Sequence, residues 1–153
     1  MHALELKIPP ILVLALFAIM ALGLATLLPG TRMPLPVHPW LAVATAVMAV
    51  AIALAGVLEF RRAKTTVNPL NPEKATTVVD SGIFHYTRNP MYLGMALALL
   101  AVVLWLQSGI GLVLVPAFCI YLTLFQIKPE ERALQHIFGS AFDTYMGKVR
   151  RWI

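Results

Sequence analysis

Four long runs of apolar residues, separated by polar segments, dominate the pattern of the chain. The runs cover residues 11–28, about 40–60, 91–106 and 110–127. An α-helix of about 20 consecutive apolar residues spans the hydrocarbon core of a bilayer. The pattern therefore predicts an all-α integral membrane protein with four transmembrane helices. The third run is short for a span, because its 16 residues reach only about 24 Å at the rise of a helix.

The first run has a rival interpretation as a secretory signal, since Lys7 precedes it. It is longer than the usual apolar core of a signal, and no clean small-x-small cleavage site precedes Pro29. We therefore expect it to be retained as the first span.

The longest polar segment, residues 63–81, is expected to lie beside the membrane. It contains Asn-Pro pairs at 68–69 and 71–72, which oppose a continuous helix. Loops of about 20 residues are uncommon in small domains and often serve as lids or binding loops. The plainer interpretation is a disordered surface loop. By contrast, only residues 107–109 separate the last two runs, which predicts an antiparallel hairpin.

The C-terminal segment is amphipathic, with apolar residues at helical spacing from Leu134 to Val149. This spacing predicts amphipathic helices on the cytoplasmic surface. Gly139 is expected to end one helix, and Ser140 with Asp143 forms a capping-box signature for the next. The basic residues and the tryptophan at 148–152 suit an anchor at the membrane interface.

Composition agrees with a membrane protein of one domain, residues 1–153. Charged residues make up 12% of the chain, against about 25% in soluble domains. The net charge of +5 does not indicate nucleic acid, because the basic residues flank the apolar runs. The single Cys119 and four dispersed histidines form no metal-ligand spacing, so no metal site is expected.

The distribution of charge predicts an orientation. With four spans and a cytoplasmic N-terminus, eleven of the 12 lysines and arginines lie on the inner side, and only Arg32 lies outside. The positive-inside rule then predicts a multi-pass protein of the inner membrane. Both termini and the loop at 63–81 would face the cytoplasm.

Residues 81–94, SGIFHYTRNPMYLG, mark the boundary between the long polar segment and the third run. Asn89 can cap a helix and Pro90 suits the first helical position. Arg88 and Tyr92 suit the headgroup level of a bilayer. The start of a membrane helix explains these four residues. It explains neither Gly-Ile-Phe at 82–84 nor Lys-Pro-Glu-Glu-Arg at 128–132.

The ordered set of motifs resembles the isoprenylcysteine carboxyl methyltransferase family, and related phospholipid methyltransferases share much of it. Besides Gly-Ile-Phe at 82–84, the motifs are Arg-Asn-Pro-Met-Tyr-Leu-Gly at 88–94, a helical hairpin, Glu-Glu-x-x-Leu at 130–134 and Phe-Gly-x-x-Phe-x-x-Tyr at 138–145. The resemblance covers about residues 60–151. It implies a bacterial-type membrane enzyme that transfers a methyl group from S-adenosylmethionine.

The resemblance also implies a set of cofactor-binding residues. They comprise a loop strand, an aromatic position, a segment that reads His-Pro-x-Tyr in many members, and a carboxylate: Thr76, Thr77, Val78, Val79, Phe84, Asn89, Pro90, Met91, Tyr92 and Glu130. Independently of the family, a carboxylate at a low-dielectric cavity wall favours the sulfonium and ammonium of this cofactor. The plainer role of Glu130 and Glu131 is to complement the dipole of the helix that they begin.

The chain departs from the family pattern at two positions. Asn89 replaces the histidine of many members, and Gln126 replaces an arginine that isoprenylcysteine enzymes use for the substrate carboxylate. We assign Gln126 and Arg88 to the acceptor, and we expect a lipophilic or amphipathic molecule that offers a thiol, an amine or a neutral group in preference to a carboxylate. No catalytic base is assigned, because positioning and exclusion of water supply most of the rate of such a transfer. His85 and His136 are interpreted as surface histidines.

Two other function classes compete with the methyltransferase. A membrane reductase of the sterol-reductase type would use a nicotinamide cofactor, but the sequence shows no additional phosphate-binding cluster. A four-span scaffold or transporter subunit would favour an ionisable residue at mid-membrane depth, and the four apolar runs contain none there. The sequence does not specify an oligomeric state.

Overall fold

The computed structural model describes residues 5–33, 38–64 and 75–153, and over these ranges it is helical without any β-strand. The predicted all-α class is therefore confirmed, whereas the Asn-Pro pairs at 68–72 lie outside the described residues. The helices are α1 (Pro10–Leu27), α2 (Pro39–Arg62), α3 (Pro90–Trp105), α4 (Leu114–Leu122), α5 (Lys128–Phe138) and α6 (Ser140–Lys148). A 3-10 turn at Ile110–Val113 leads into α4, and a π-helical turn at Thr123–Ile127 joins α4 to α5.

Three helical segments of the described chain are long and apolar enough to cross a membrane. They are α1, α2 and the continuous segment Ile110–Phe138, which has 29 residues. Helix α3 is apolar but has only 16 residues. The protein is thus a multi-pass, all-helical membrane protein, and a fourth span formed by α3 stays a prediction.

Proline determines where the first three helices begin. Pro10, Pro39 and Pro90 each occupy the first helical position, where the missing N–H is not needed and the fixed φ suits a helix. As a result, these helices agree with the predicted runs to within about two residues at each end.

The fourth run continues beyond its predicted end at residue 127. Its helix passes through the π-helical turn into α5 and ends at Phe138. Pro129 has no N–H to donate to the carbonyl of Phe125, four residues earlier. That carbonyl instead accepts a hydrogen bond from the backbone N–H of Leu6, at 3.1 Å. The N-terminal segment therefore compensates for the proline, and the helix continues.

Small residues allow α2 and α3 to pack backbone against side chain. A β-carbon added to Gly94 of α3 would lie 2.8 Å from the carbonyl oxygen of Ala49 and 2.9 Å from the β-carbon of Ala53. Near the end of α2, Gly56 faces Pro90 in the same way, since an added β-carbon would lie 3.0 Å from its ring. Close approach of this kind is how membrane helices associate, and it places the start of α3 beside the end of α2.

The two ends of the bundle differ in polarity. At one end, the α1–α2 connection pairs with the turn at 107–109, through Gly109 N–H to the Thr31 carbonyl at 2.9 Å and Met33 N–H to the Gln107 carbonyl at 2.9 Å. Arg32 lies here. The opposite end gathers the N-terminal segment, residues 81–89, α5 and α6, through contacts such as the 2.8 Å ion pair between Arg132 and Glu5.

Gly139 separates α5 from α6, as predicted, with a φ of +53° that favours glycine. The predicted capping box is wrong. Ser140 is already the first residue of α6, and no side chain caps this helix. The carboxylate of Asp143 instead accepts a hydrogen bond from Gln135 Nε2, at 2.9 Å. Because Gly139 alone makes the break, the residue after it is already helical.

Candidate functional site

A cavity lies at the polar end of the bundle, where the end of α2, residues 75–89, α5 and α6 meet. It measures about 70 Å³, which is less than the range of about 300–1,000 Å³ that is usual for small-molecule sites. Its walls are largely apolar and aromatic, with one arginine, one asparagine and two glutamates as the strongly polar groups. The lining residues are Phe60, Ala75, Thr77, Val78, Val79, Phe84, Arg88, Asn89, Ile127, Glu130, Glu131, Leu134, Phe138, Phe142 and Tyr145.

Glu130 occupies the cavity wall in the first turn of α5 and contacts α3. Its Oε1 accepts a hydrogen bond from the hydroxyl of Tyr92, at 2.6 Å. Within the described chain, no lysine or arginine pairs with Glu130. Glu130 is half-buried, and a carboxylate held beside apolar walls is costly without a cation. Glu130 is therefore the group in this cavity best suited to a cationic ligand.

The neighbouring Glu131 has the opposite arrangement, since two arginines bind it. Arg88 Nη2 lies 2.8 Å from Oε1, and Arg151 Nη2 lies 2.6 Å from Oε2. Arg151 Nε donates a second bond to Oε1, at 3.0 Å, and this pairing raises the pKa of Arg151. The side chains of Arg88 and Glu131 are only 10% and 12% exposed, so this pair is largely shielded from water, whereas the side chain of Arg151 is 34% exposed. Arg88 Nε is buried without a hydrogen-bond partner among the described residues.

The turn before α3 fixes the aromatic wall of the cavity. Gly82 has a φ of +56° and lies so close to Glu59 that an added β-carbon would be 2.7 Å from its carboxyl carbon. Ser81 donates to the same carboxylate at 2.5 Å. The turn places Phe84 edge-on against Phe60, with ring centroids 5.1 Å apart. The position of Phe84 in the site thus depends on the end of α2.

Helix α6 supports the same turn from the other side. The hydroxyl of Tyr145 donates to the carbonyl of Phe84 at 2.8 Å, and both side chains are buried. Burial raises the pKa of Tyr145, so its hydroxyl keeps the proton that makes this bond. Phe142 and Val79 complete a small apolar cluster with these two residues.

Asn89 occupies the cap position of α3, but its side chain does not cap the helix. Its Nδ2 donates instead to the carbonyl oxygen of Arg151, at 2.9 Å, and its backbone N–H donates to the Thr87 hydroxyl, at 3.2 Å. The capping role predicted for Asn89 is therefore wrong, because its side-chain amide binds the backbone of the C-terminal tail. The role predicted for Pro90 at the first helical position is confirmed.

The structure brings most of the predicted cofactor residues to one cavity. Six of the ten line it: Thr77, Val78, Val79, Phe84, Asn89 and Glu130. Tyr92 lies behind Glu130, and Pro90 with Met91 faces Gly56 of α2. Thr76 is exposed and is not among the lining residues.

The two residues assigned to the acceptor lie in different places. Arg88 lines the cavity. Gln126 is fully buried but points elsewhere, and its Nε2 donates to the carbonyl of Ile8 at 2.8 Å. The exposed His85 and His136 are not lining residues either.

Several lining residues were not singled out from the sequence as site residues. Phe60 lies in the last turn of α2, and Leu134, Phe138, Phe142 and Tyr145 form one face of the α5–α6 pair. Their helical spacing indicated an apolar face, but the bilayer was the expected partner. In the structure, the turn at 82–85 packs against this face, so its partner is the protein and not the bilayer.

The C-terminal anchor predicted at 148–152 is also different in the structure. Arg151 binds Glu131, and Trp152 Nε1 donates to the Thr123 hydroxyl at 3.2 Å. Trp152 also packs against the core of the bundle. Both side chains are therefore engaged by the protein itself.

Comparison with known proteins identifies the family. The sequence model of the phospholipid methyltransferase family matches residues 37–141, more than half of the chain. An uncharacterized protein of Haemophilus influenzae is 41% identical over 63 residues, which make up 41% of this chain and all of that protein. No solved structure matches the chain. The family match runs from the start of α2 to the start of α6, so it includes the motifs at 82–94 and 128–134 that carried the predicted resemblance. The chain therefore belongs to the phospholipid methyltransferase family.

Proposed function

We propose that the protein is an S-adenosylmethionine-dependent membrane methyltransferase, and that the cavity around Glu130 holds the cofactor. One observation carries the proposal: Glu130 lines a mostly apolar cavity and pairs with a tyrosine hydroxyl but with no basic side chain of the described chain. S-adenosylmethionine would supply an activated methyl group on a cationic sulfonium, together with an ammonium. Either cation would satisfy this carboxylate.

The other walls suit the remaining parts of the cofactor. Phe60, Phe84, Phe138 and Phe142 offer aromatic surface for a nucleobase. The segment at 77–79 runs along the cavity without helical or strand pairing. Its backbone can therefore bond to a ribose or a base edge. The chemistry of the lining residues thus fits the cofactor that the resemblance implies, and the cavity must widen from about 70 Å³ to admit it.

For methyl transfer, the protein has mainly to position the two reactants and to exclude water from them. When bound, S-adenosylmethionine would supply its methyl group to a thiol or free amine acceptor, with S-adenosylhomocysteine as the leaving group and the proton of the acceptor passing to water. Holding the two reactants in contact and excluding water can supply most of the rate. The exposed histidines at the polar end of the bundle are not needed for this step, which agrees with a site that has no obvious base.

Titration of the purified protein with S-adenosylmethionine tests the proposal directly. Saturable, stoichiometric binding by calorimetry is expected. If the folded protein does not bind S-adenosylmethionine, the methyltransferase proposal is wrong, and the reductase and the scaffold become the alternative interpretations.

We propose further that the acceptor is lipophilic and presents a thiol, an amine or a neutral group. A carboxylate held beside lipid needs a cation, because an unpaired charge costs several kcal/mol there. Gln126 is neutral and points away from the cavity. Arg88 is the only basic residue that lines the cavity within the described chain, and Glu131 already pairs with it. This supports an acceptor without a carboxylate.

The acceptor proposal predicts little methyl ester formation on a farnesylated cysteine. The purified protein would be incubated with labelled cofactor and, separately, with prenylated thiols, phospholipid amines, small thiols and the farnesylcysteine analogue. Label is expected in a thiol or amine product, and base-labile label on the carboxylate should be minor. Efficient base-labile esterification that persists in Gln126→Ala would contradict the proposal.

We also propose that α3 is a fourth span and that the polar end of the bundle faces the cytoplasm. Among the described residues, Arg32 is the only lysine or arginine at the opposite end. Single cysteines near residues 33 and 108 are expected to react with an impermeant thiol reagent from outside in a Cys119→Ser background. Cysteines near residues 64 and 140 are expected to react only after permeabilisation. External labelling near residue 64 would overturn this topology.

A further inference from the structure

Residues 149–152, which follow α6, lie across the start of α3. The carbonyl of Arg150 accepts a hydrogen bond from the backbone N–H of Arg88, at 3.1 Å. The carbonyl of Arg151 accepts one from Asn89 Nδ2, at 2.9 Å. Asn89 and Arg88 both line the cavity. The backbone of the tail, residues 149–152, thus holds two cavity residues from behind.

The side chain of Arg151 adds a second connection, to α5. Its guanidinium makes two hydrogen bonds to the carboxylate of Glu131, and Arg88 shares that carboxylate. A two-pronged arginine–carboxylate contact restricts orientation as well as distance. Arg151 therefore connects the motif at 88–89 to the helix turn that carries Glu130 and Glu131.

Trp152 anchors the end of the tail. Its Nε1 donates to the hydroxyl of Thr123, in the π-helical turn before α5, and its ring packs on the bundle core. The same turn receives the N-terminal segment, through Leu6 N–H to the Phe125 carbonyl. Both ends of the described chain thus fix the turn from which α5 enters the cavity wall.

We propose that the tail, residues 149–152, is a positioning element of the cofactor site, with Arg151 as its principal positioning residue. The proposal rests on the proposed function and deepens it. The tail sets the distance between the Asn89 side of the cavity and the Glu130 side, and no contact of the tail with the ligand is needed. A membrane anchor would require only basic charge and an aromatic ring at this position. The geometry instead requires the guanidinium of Arg151 in particular.

The test compares Arg151→Met with Lys148→Met, which removes an equal charge from an exposed position at the end of α6. Two measurements are made on each protein: the affinity for S-adenosylmethionine, and hydrogen exchange of a peptide spanning residues 86–92 without ligand. Arg151→Met is expected to lose roughly tenfold or more in affinity, since a hydrogen bond to a charged group is worth about one factor of ten or more. Its Arg88 amide is expected to exchange faster. Lys148→Met is expected to match the wild type in both measurements.

Arg151→Lys keeps the charge but not the two-pronged geometry, so its affinity should lie between the wild type and Arg151→Met. It also serves if Arg151→Met does not fold. If the Arg151 and Lys148 variants show the same affinity and the same hydrogen exchange, the proposal is wrong and the tail is better interpreted as a membrane anchor. If the wild-type protein binds no S-adenosylmethionine, the proposed function fails. Hydrogen exchange at residues 86–92 then decides alone whether the tail orders the motif.

Discussion

Glu130→Gln is expected to weaken binding of S-adenosylmethionine by about 1–3 kcal/mol, while the protein stays folded. The amide can still accept the hydrogen bond from Tyr92, so the contact between α5 and α3 survives. The variant loses the negative charge opposite the sulfonium or ammonium. Calorimetric titration of both proteins in the same detergent measures the difference.

Two controls separate charge from structure in this experiment. Asp143→Asn removes an equal charge from an exposed part of α6 that does not line the cavity, and it should leave the affinity unchanged. S-adenosylhomocysteine lacks the sulfonium charge, so its affinity should fall less than that of S-adenosylmethionine if Glu130 faces the sulfur. Unchanged affinity for both ligands in Glu130→Gln would remove Glu130 from the site.

Glu131→Ala is expected to destabilise the protein by about 3–5 kcal/mol, because it leaves a buried arginine without its counter-ion. Arg88 is 10% exposed at its side chain and would keep only the bond from Nη1 to the Met146 carbonyl. Arg151 would lose its partner as well. A lower thermal unfolding temperature in detergent would report the change.

The ion pair between the exposed Arg62 and the buried Glu59 provides the comparison. The Arg62 side chain is 75% exposed, and Glu59 keeps its bond from Ser81 when Arg62 is removed. Arg62→Ala is therefore expected to cost less than about 1 kcal/mol. If Glu131→Ala proved no more damaging than Arg62→Ala, the network of Glu131 with two arginines would not be the structural centre described above.

Much of the helical architecture could be predicted from the sequence, because its causes are local. Long apolar runs favour helices in a membrane, and a proline at the first position determines where each of α1, α2 and α3 begins. The break at Gly139 follows from the backbone freedom of glycine in the same way. The end of the fourth run was less predictable. Helix continuation through Pro129 depends on a distant partner, the backbone N–H of Leu6, which takes over the vacated carbonyl.

The candidate site was predicted in part. The motif resemblance found residues 77–79 of the loop strand, Phe84 and the carboxylate of Glu130, all of which line the cavity. It could not distinguish Tyr92, which holds Glu130, from residues that touch the cavity, since adjacent helix positions face different neighbours. The ion pairs of Glu131 could not be predicted either, because its partners Arg88 and Arg151 lie 43 and 20 residues away in the chain.

By itself, the sequence determined that this is a helical membrane protein, where most of its helices begin, and which motifs relate it to membrane methyltransferases. Those features depend on hydropathy, backbone chemistry and residue order, which are properties of short stretches. Only the tertiary structure decided that the C-terminal tail binds the start of α3 and that Gln126 faces the N-terminal segment. The same arginine or glutamine suits water, lipid headgroups or a buried partner. Which of these it meets depends on how distant segments pack together.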